Sequence, residues 1–425
     1  MTLVDSPSVN DLIARRKAGH SLEADFYTRQ DIFETDMALI FHRHWIYVGV
    51  EPDVPEPGDV AVVDIGKTSV LIVRDDDNQI RAFHNVCRHR GARLVNTPNA
   101  VVGNLVCRYH AWTYSLDGKL IFADHMGEDF DKSCRGLKPV HLRSIAGLLF
   151  ICLADEPPRD IEAMSEALTP YLALHDLPNC KIVKSTDLIE HGNWKLTMEN
   201  NRECYHCGAN HPELTIPLFA YGFGFSPKAL DEDERAQAER YQALVCDSHA
   251  RWEAAGAASR EVEHLADRVT AFRAERLPLD QHGESQTMDS KVASKKLLGQ
   301  INDPAMGGLS VWTQPNSWHH FMSDHIVTFS VIPVSPTETL LRTRWLVHKD
   351  AVEGVDYDLD NVTGVWLATN KQDAELVEIT QAGVESPAYE PGPYSVYTEG
   401  LVEKFCDWYL GRLSAGLAAN LAEAA

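Results

Sequence analysis

Two short stretches set a thiol beside an imidazole. In "NVCRHRGARLV", residues 85–95, Cys87 stands two positions before His89, and in "LVCRYHAW", residues 105–112, Cys107 stands three before His110. Two soft thiolates and two imidazoles can close a tetrahedral zinc site. They can equally hold a [2Fe–2S] cluster with both sulfurs on one iron and both nitrogens on the other. Zinc fingers keep Cys with Cys and His with His, whereas here each loop offers one sulfur and one nitrogen. Taken singly, either pair reads as a buried cysteine and a surface histidine. Two pairs on turn-like loops, with Arg88, Gly91 and Trp112 around them, read as one metal site.

A second constellation lies in "ENNRECYHCGANHP", residues 199–212, with His206, His211 and Glu203. Histidines five apart on an ideal helix diverge by about 140°, so they share no face unless the helix ends between them. Pro212 disfavours helical backbone at His211, which lets that ring turn back toward His206. Two histidines and one carboxylate leave open positions on iron(II) for dioxygen. Asp373 is the candidate acid. It interrupts the buried stripe Trp366, Thr369, Leu376, Val377 and Thr380 of a helix expected over 362–380, and a buried carboxylate is costly unless paired or metal-bound. Cys204 and Cys207 are read as packing residues turned away from the Glu203 and His206 face. His84, His141, His319 and His325 are read as core or surface histidines.

The elements that must position these groups follow from periodicity. Residues 45–155 hold short runs rich in Val, Ile, Phe and Tyr between Gly, Asp and Asn turns, with "LDGK" at 116–119 as a hairpin turn. Residues 226–300, including "DEDERAQAERYQALV" and "SREVEHLADRVTAFRAERL", are expected to be helical and charged on one face. Strands are expected again at 325–335 and 339–349. The fold class is α+β.

Composition narrows the function. A formal charge of −23 over 425 residues repels phosphate backbones, so nucleic acid is not an expected partner. Nine irregularly spaced cysteines do not form a disulfide framework. The longest apolar run, "IAGLLFICLA", is about half the roughly 20 residues of a membrane span. The first residues carry no apolar signal region, so a cytoplasmic location without membrane attachment is expected. The glycine pattern "YGFGFSP" at 221–227 lacks the third glycine and preceding strand of a dinucleotide fingerprint, so NAD(P)H would act only through a separate reductase.

"CRHRG", "CRYHAW", "ENNRECYH" followed by "HP", and "ATNKQDAELVE" resemble the metal-binding segments of Rieske non-haem iron oxygenase alpha subunits, the ring-hydroxylating oxygenase family. The resemblance implies a helical segment over 1–44, an all-β Rieske domain over 45–155, and a catalytic domain over 156–425. That last domain would be an antiparallel sheet surrounded by helices, helix-grip or START-like. It implies Cys87, His89, Cys107 and His110 as ligands of a [2Fe–2S] cluster, and His206, His211 and Asp373 as ligands of a mononuclear Fe²⁺. Glu203 would link that iron to the partner subunit's His110 in a homotrimer, and O₂ would be co-substrate.

The glutamate at 203, where ring-hydroxylating members carry aspartate, resembles the quaternary-amine branch. So do "NSWHHFMSDHIVTF", "TRWLVHKDAVEGVDYD" and "YEPGPYS", within a likeness spanning roughly 23–412 to glycine betaine and stachydrine (proline betaine) N-demethylases. The implied activity is an EC 1.14 monooxygenase served by a flavin and [2Fe–2S] reductase. It would hydroxylate an N-methyl group of a betaine and release formaldehyde. A permanent cation sits well among aromatic faces, and Trp312, Trp318, His320, Phe321 and Tyr394 are the candidate lining residues. The competing readings are an aromatic-acid dioxygenase, a Rieske electron carrier without catalysis, and a zinc-binding structural protein.

Overall fold

Ten strands lie between Ile46 and Cys152: β1 Ile46–Val50, β2 Asp59–Ile65, β3 Thr68–Arg74, β4 Ile80–His84, β5 Asn99–Val101, β6 Leu105–Val106, β7 Thr113–Tyr114, β8 Leu120–Phe122, β9 Pro139–Ile145 and β10 Leu148–Cys152. In this computed structural model, which describes residues 7–218, 222, 224–226, 228 and 230–424, seven of them form a sheet in the order β1-β10-β9-β4-β3-β2-β5, and β6-β7-β8 form a small second sheet. The apolar run at 145–154 becomes β10, buried at all five positions. The "LDGK" turn joins β7 to β8. Gly118 there has φ +86°, and a Cβ would meet Phe83 at 2.5 Å, so only glycine fits.

The remaining strands are β11 Cys180–Glu190, β12 Val262–His264, β13 Phe272–Leu277, β14 Gly308–Thr313, β15 Ser317–Phe321, β16 His325–Ser335 and β17 Glu338–His348. They make an antiparallel sheet ordered β11-β17-β16-β15-β14-β13-β12. One face of it holds the 26-residue helix Leu359–Val384 and the helix Trp194–Asn201.

The expected helical stretch 226–300 is corrected in part. Glu232–Ala254 is a helix, opened by Asp231 accepting from the Glu234 N–H in a capping box, but Val262–His264 and Phe272–Leu277 form β12 and β13, and residues 278–300 hold no helix. Alternation explains it. Phe272 and Ala274 enter the core, while Arg273 on the opposite face is neutralised by Glu261 and Glu275. Arg276, buried on the same face as Phe272 and Ala274, had disguised a period of two as a helical one. The 221–227 glycine pattern lies partly outside the described residues.

The N-terminal helices and the C-terminal helix Gly400–Ala424 are tied to the site through Asp36. Its buried carboxylate accepts from Lys195 Nζ at 2.5 Å, Trp194 Nε1 at 3.0 Å and Tyr409 Oη at 2.6 Å. This fixes the start of helix Trp194–Asn201, whose far end leads into Glu203 and His206. Among the described residues no helix is long and apolar enough to cross a membrane.

Candidate functional site: two metal centres and a cavity

The two Cys/His loops are the same turn made twice. The Cys87 N–H donates to Ala92 O at 2.8 Å and the Gly91 N–H donates back to Cys87 O at 3.0 Å. Cys107 and Trp112, then Ala111 and Cys107, repeat this at 2.8 and 2.9 Å. The fifth residue of each turn is left-handed, Gly91 at φ +78° and Ala111 at φ +55°. Both cysteines are buried and both histidines exposed. The rings of His89 and His110 lie 4.6 Å apart, and His89 stacks on Trp112 at 4.8 Å. Burial pushes the Cys107 thiol up, and the neighbouring Cys87 adds to it. Two buried sulfurs beneath two exposed imidazoles are a donor set that would hold a cluster with both thiolates on one iron and both imidazoles on the other.

At the second centre the helix Trp194–Asn201 ends at Arg202, earlier than expected, so 203–206 is a turn. A short helix Cys207–Asn210 follows, and His211 leaves it with φ −121° and ψ 68°, as Pro212 requires. His206 Nε2 lies 3.4 Å and His211 Nε2 3.0 Å from Asp373 Oδ1. The two rings are 5.0 Å apart and nearly perpendicular. His211 Nε2 and Asp373 Oδ1 are buried yet make no hydrogen bond, so three donor atoms converge on one point without satisfying one another. A divalent cation fits that set.

The opposite nitrogens are held from behind. His206 Nδ1 meets Glu203 Oε1 at 2.5 Å, whereas His211 Nδ1 donates to Gln372 Oε1 at 2.9 Å, and Gln372 Nε2 donates to Glu213 Oε2 at 2.7 Å. With a metal ion bound, these contacts would keep the proton on Nδ1 and leave Nε2 of each ring to the ion beside Asp373. Burial lowers the basicity of His206, but Asp373 and Glu203 outweigh it and hold it up at about 9. The same balance, through Asp373 and Gln372, raises His211. The locus favours positive charge.

Cys204 and Cys207 do not point away. With the helix already ended, they join in a disulfide across the turn and line the cavity beside the triad. Cys207 Sγ falls within 4.8 Å of the His206 and His211 nitrogens, but a disulfide sulfur offers no thiolate.

A cavity of about 60 Å³ adjoins the triad, walled by Leu214, Leu277, Trp312, His320, Trp366 and Thr369. Of the expected aromatic residues, Trp312 and His320 line it. Three do not. Trp318 stacks flat on Phe329 at 4.9 Å, Phe321 points through the sheet to the opposite core beside His175, and Tyr394 lines a separate cavity of about 280 Å³ beyond Glu203. Strand alternation accounts for Phe321, one residue after an inward His320. Burial lowers His320 to about 3, keeping it neutral, and it stacks on Trp366 at 4.5 Å. Trp366 had been expected only in the apolar stripe, and Gln372 had not stood out. The signal was their spacing, seven positions before Asp373 and directly beside it.

Residues 177–415 match the family described as ring hydroxylating alpha subunit (catalytic domain), and residues 44–138 the Rieske [2Fe-2S] domain. The chain is 43% identical over 412 residues to the glycine betaine monooxygenase oxygenase subunit of Chromohalobacter salexigens, covering 95% of this chain and 89% of that one. The subunit of the same description from Pseudomonas aeruginosa is 44% identical over 405 residues, covering 95% and 91%. A crystal structure of a quaternary ammonium Rieske monooxygenase, CntA, superposes with TM-score 0.71 at 20% identity over 96% of this chain and 99% of that one.

Proposed function

The chain belongs to the family of Rieske ring-hydroxylating oxygenase alpha subunits, and from that premise we propose that it is the terminal oxygenase of a betaine N-demethylase, with glycine betaine as first substrate and stachydrine as second. Such enzymes carry a [2Fe–2S] cluster and a mononuclear iron; we assign the first to Cys87, His89, Cys107 and His110 and the second to His206, His211 and Asp373. When bound, these groups supply one-electron transfer and the activation of O₂. The convergent triad beside a cavity walled by Trp312, His320 and Trp366 carries the reading. The named betaine relatives support a compact quaternary amine over a polycyclic arene.

The chain's own residues then have distinct tasks. Glu203 and Gln372 orient the two imidazoles, and Leu214, Leu277 and Trp366 exclude water from the reacting methyl group. One oxygen atom of O₂ enters a C–H bond and the other leaves as water, with two electrons from a separate NAD(P)H-dependent reductase and two protons from solvent. The hydroxymethyl amine so formed separates into formaldehyde and the demethylated amine. The exposed His110 edge and the open cavity beyond Glu203, lined by Asn200, Glu203 and His206, fit electron transfer between subunits of a homotrimer.

The test is a panel of glycine betaine, stachydrine, carnitine and an aromatic carboxylate with reductase and NAD(P)H. Formaldehyde and a mass loss of one methylene from a betaine are expected. Dihydroxylation of the aromatic acid without formaldehyde would overturn the assignment.

A further inference from the structure

The cavity beside the triad has a chemically one-sided end. Asn201 and Gln286 both line it. The oxygen of each is already taken by a protein donor: Arg202 Nη1 donates to Asn201 Oδ1 at 2.8 Å, and Trp366 Nε1 to Gln286 Oε1 at 2.9 Å. Arginine and tryptophan side chains only donate, so neither amide can be turned around, and the NH₂ of each is left for the cavity. Gln286 Nε2 stands 3.5 Å from where a Cβ on Gly308 would lie, on the strand face that also carries Ser310. Ser310 is 6% exposed, lines the cavity, and its Oγ has no partner. His320, directly opposite it across the β14–β15 pair, also has an unpartnered Nε2.

Behind these donors lies a cation without an anion. Arg202 is fully buried, its guanidinium sits 4.9 Å over Trp312, its Nε has no partner, and its hydrogen bonds go to Asn201 Oδ1 and Ser317 O. Among the described residues it forms no ion pair. Glu275, the acid paired with Ser310 on the other side, is engaged by Arg273. A buried charge and several unpaired donors are each costly unless an acceptor arrives.

We propose that Asn201, Gln286 and Ser310 form the subsite that grips the carboxylate of a zwitterionic substrate, with Arg202 completing the charge balance through Asn201. This rests on the quaternary-ammonium reading above and adds to it: the cavity selects for the anionic end as well as the methylated one. Trp312, with guanidinium groups of Arg202 and Arg273 each at 4.9 Å, belongs to this anion-binding end rather than to a cation cage.

The experiment compares glycine betaine with choline, which keeps the trimethylammonium head and replaces the carboxylate by CH₂OH. Binding is measured by calorimetry on the cofactor-loaded protein without reductant. Gln286→Glu preserves the acceptor for Trp366 and replaces the NH₂ facing the ligand with a negative charge. Asn201→Asp preserves the bond from Arg202 and neutralises it. Hydrogen bonds to charged groups contribute about 1.5–3 kcal/mol, so each variant is expected to weaken glycine betaine at least about tenfold and choline by less than about twofold. Ser310→Ala should give a smaller loss of the same kind. An unchanged cluster spectrum checks folding, and if one of Gln286→Glu and Asn201→Asp does not fold the other carries the test. Equal weakening of both ligands, or none, overturns the subsite while wild-type formaldehyde release leaves the N-demethylase reading standing. A wild-type protein that neither binds nor demethylates a betaine overturns both.

Discussion

The cluster loops and the iron triad solve opposite problems, and their construction differs accordingly. The loops are local and built from backbone: four candidate ligands within 24 residues, two copies of one hydrogen-bonded turn, sulfurs inward and imidazoles exposed. The triad is distant in sequence and built from side chains: His206 and His211 come from a broken helix, Asp373 from a helix more than 160 residues later, and Glu203, Gln372 and Glu213 brace them from behind. On the proposed reading an electron reaches the first centre from another protein, which its exposed imidazoles allow. The second would keep water from a reactive methyl group, and there apolar side chains wall the cavity while Nδ1 of His206 and of His211 each has a partner.

The largest effects should separate the centres completely. Asp373→Ala is expected to lose the mononuclear iron and all formaldehyde release while the [2Fe–2S] absorption and acid-labile sulfide persist. Cys107→Ala should do the reverse, retaining one iron per chain. Metal and sulfide analysis of both proteins decides it; loss of both centres in either variant would mean that they are one folding unit.

The braces should then separate within the second centre. Gln372→Leu removes the acceptor that fixes the His211 tautomer, and iron affinity should fall about 10–100-fold, read by equilibrium competition with a chelator. Glu203→Gln keeps a hydrogen-bond acceptor for His206 and should retain iron. If Glu203 also serves the path between subunits, oxidation of the reduced cluster by O₂ in a single turnover should slow by about tenfold or more. Unchanged cluster oxidation removes that role, whatever happens to iron binding.

The same contrast explains what could be read from residues alone. The cluster loops were legible because their ligands and turns are contiguous, and the triad because Pro212 and an acid on an apolar stripe are local anomalies. The strands within 262–277 were not, since the buried Arg273 and Arg276 find their partners, Glu261 with Glu275 and the Met306 carbonyl, only in the folded sheet. The side of the sheet that Phe321 takes depends on strand register, and the disulfide between Cys204 and Cys207 on where the preceding helix stops. Each is a tertiary decision.

The smallest effect tests the repetition itself. If the two loops are one turn used twice, Gly91 and Ala111 occupy the same left-handed position, one with the residue that backbone prefers and one without. Nothing lies within 4 Å of a Cβ placed on Gly91, so Gly91→Ala isolates backbone strain from crowding and should cost about 1 kcal/mol. Ala111→Gly relieves the same strain but loosens the unfolded chain by about 0.4–1 kcal/mol, so its net change should stay within about 0.5 kcal/mol of zero. Denaturant unfolding of the cluster-loaded protein, followed by loss of its visible absorption, measures both. A large loss from Ala111→Gly would show that the alanine methyl is itself a contact beside His110, and that the two halves of the cluster site, alike in backbone, differ in how they hold their imidazoles.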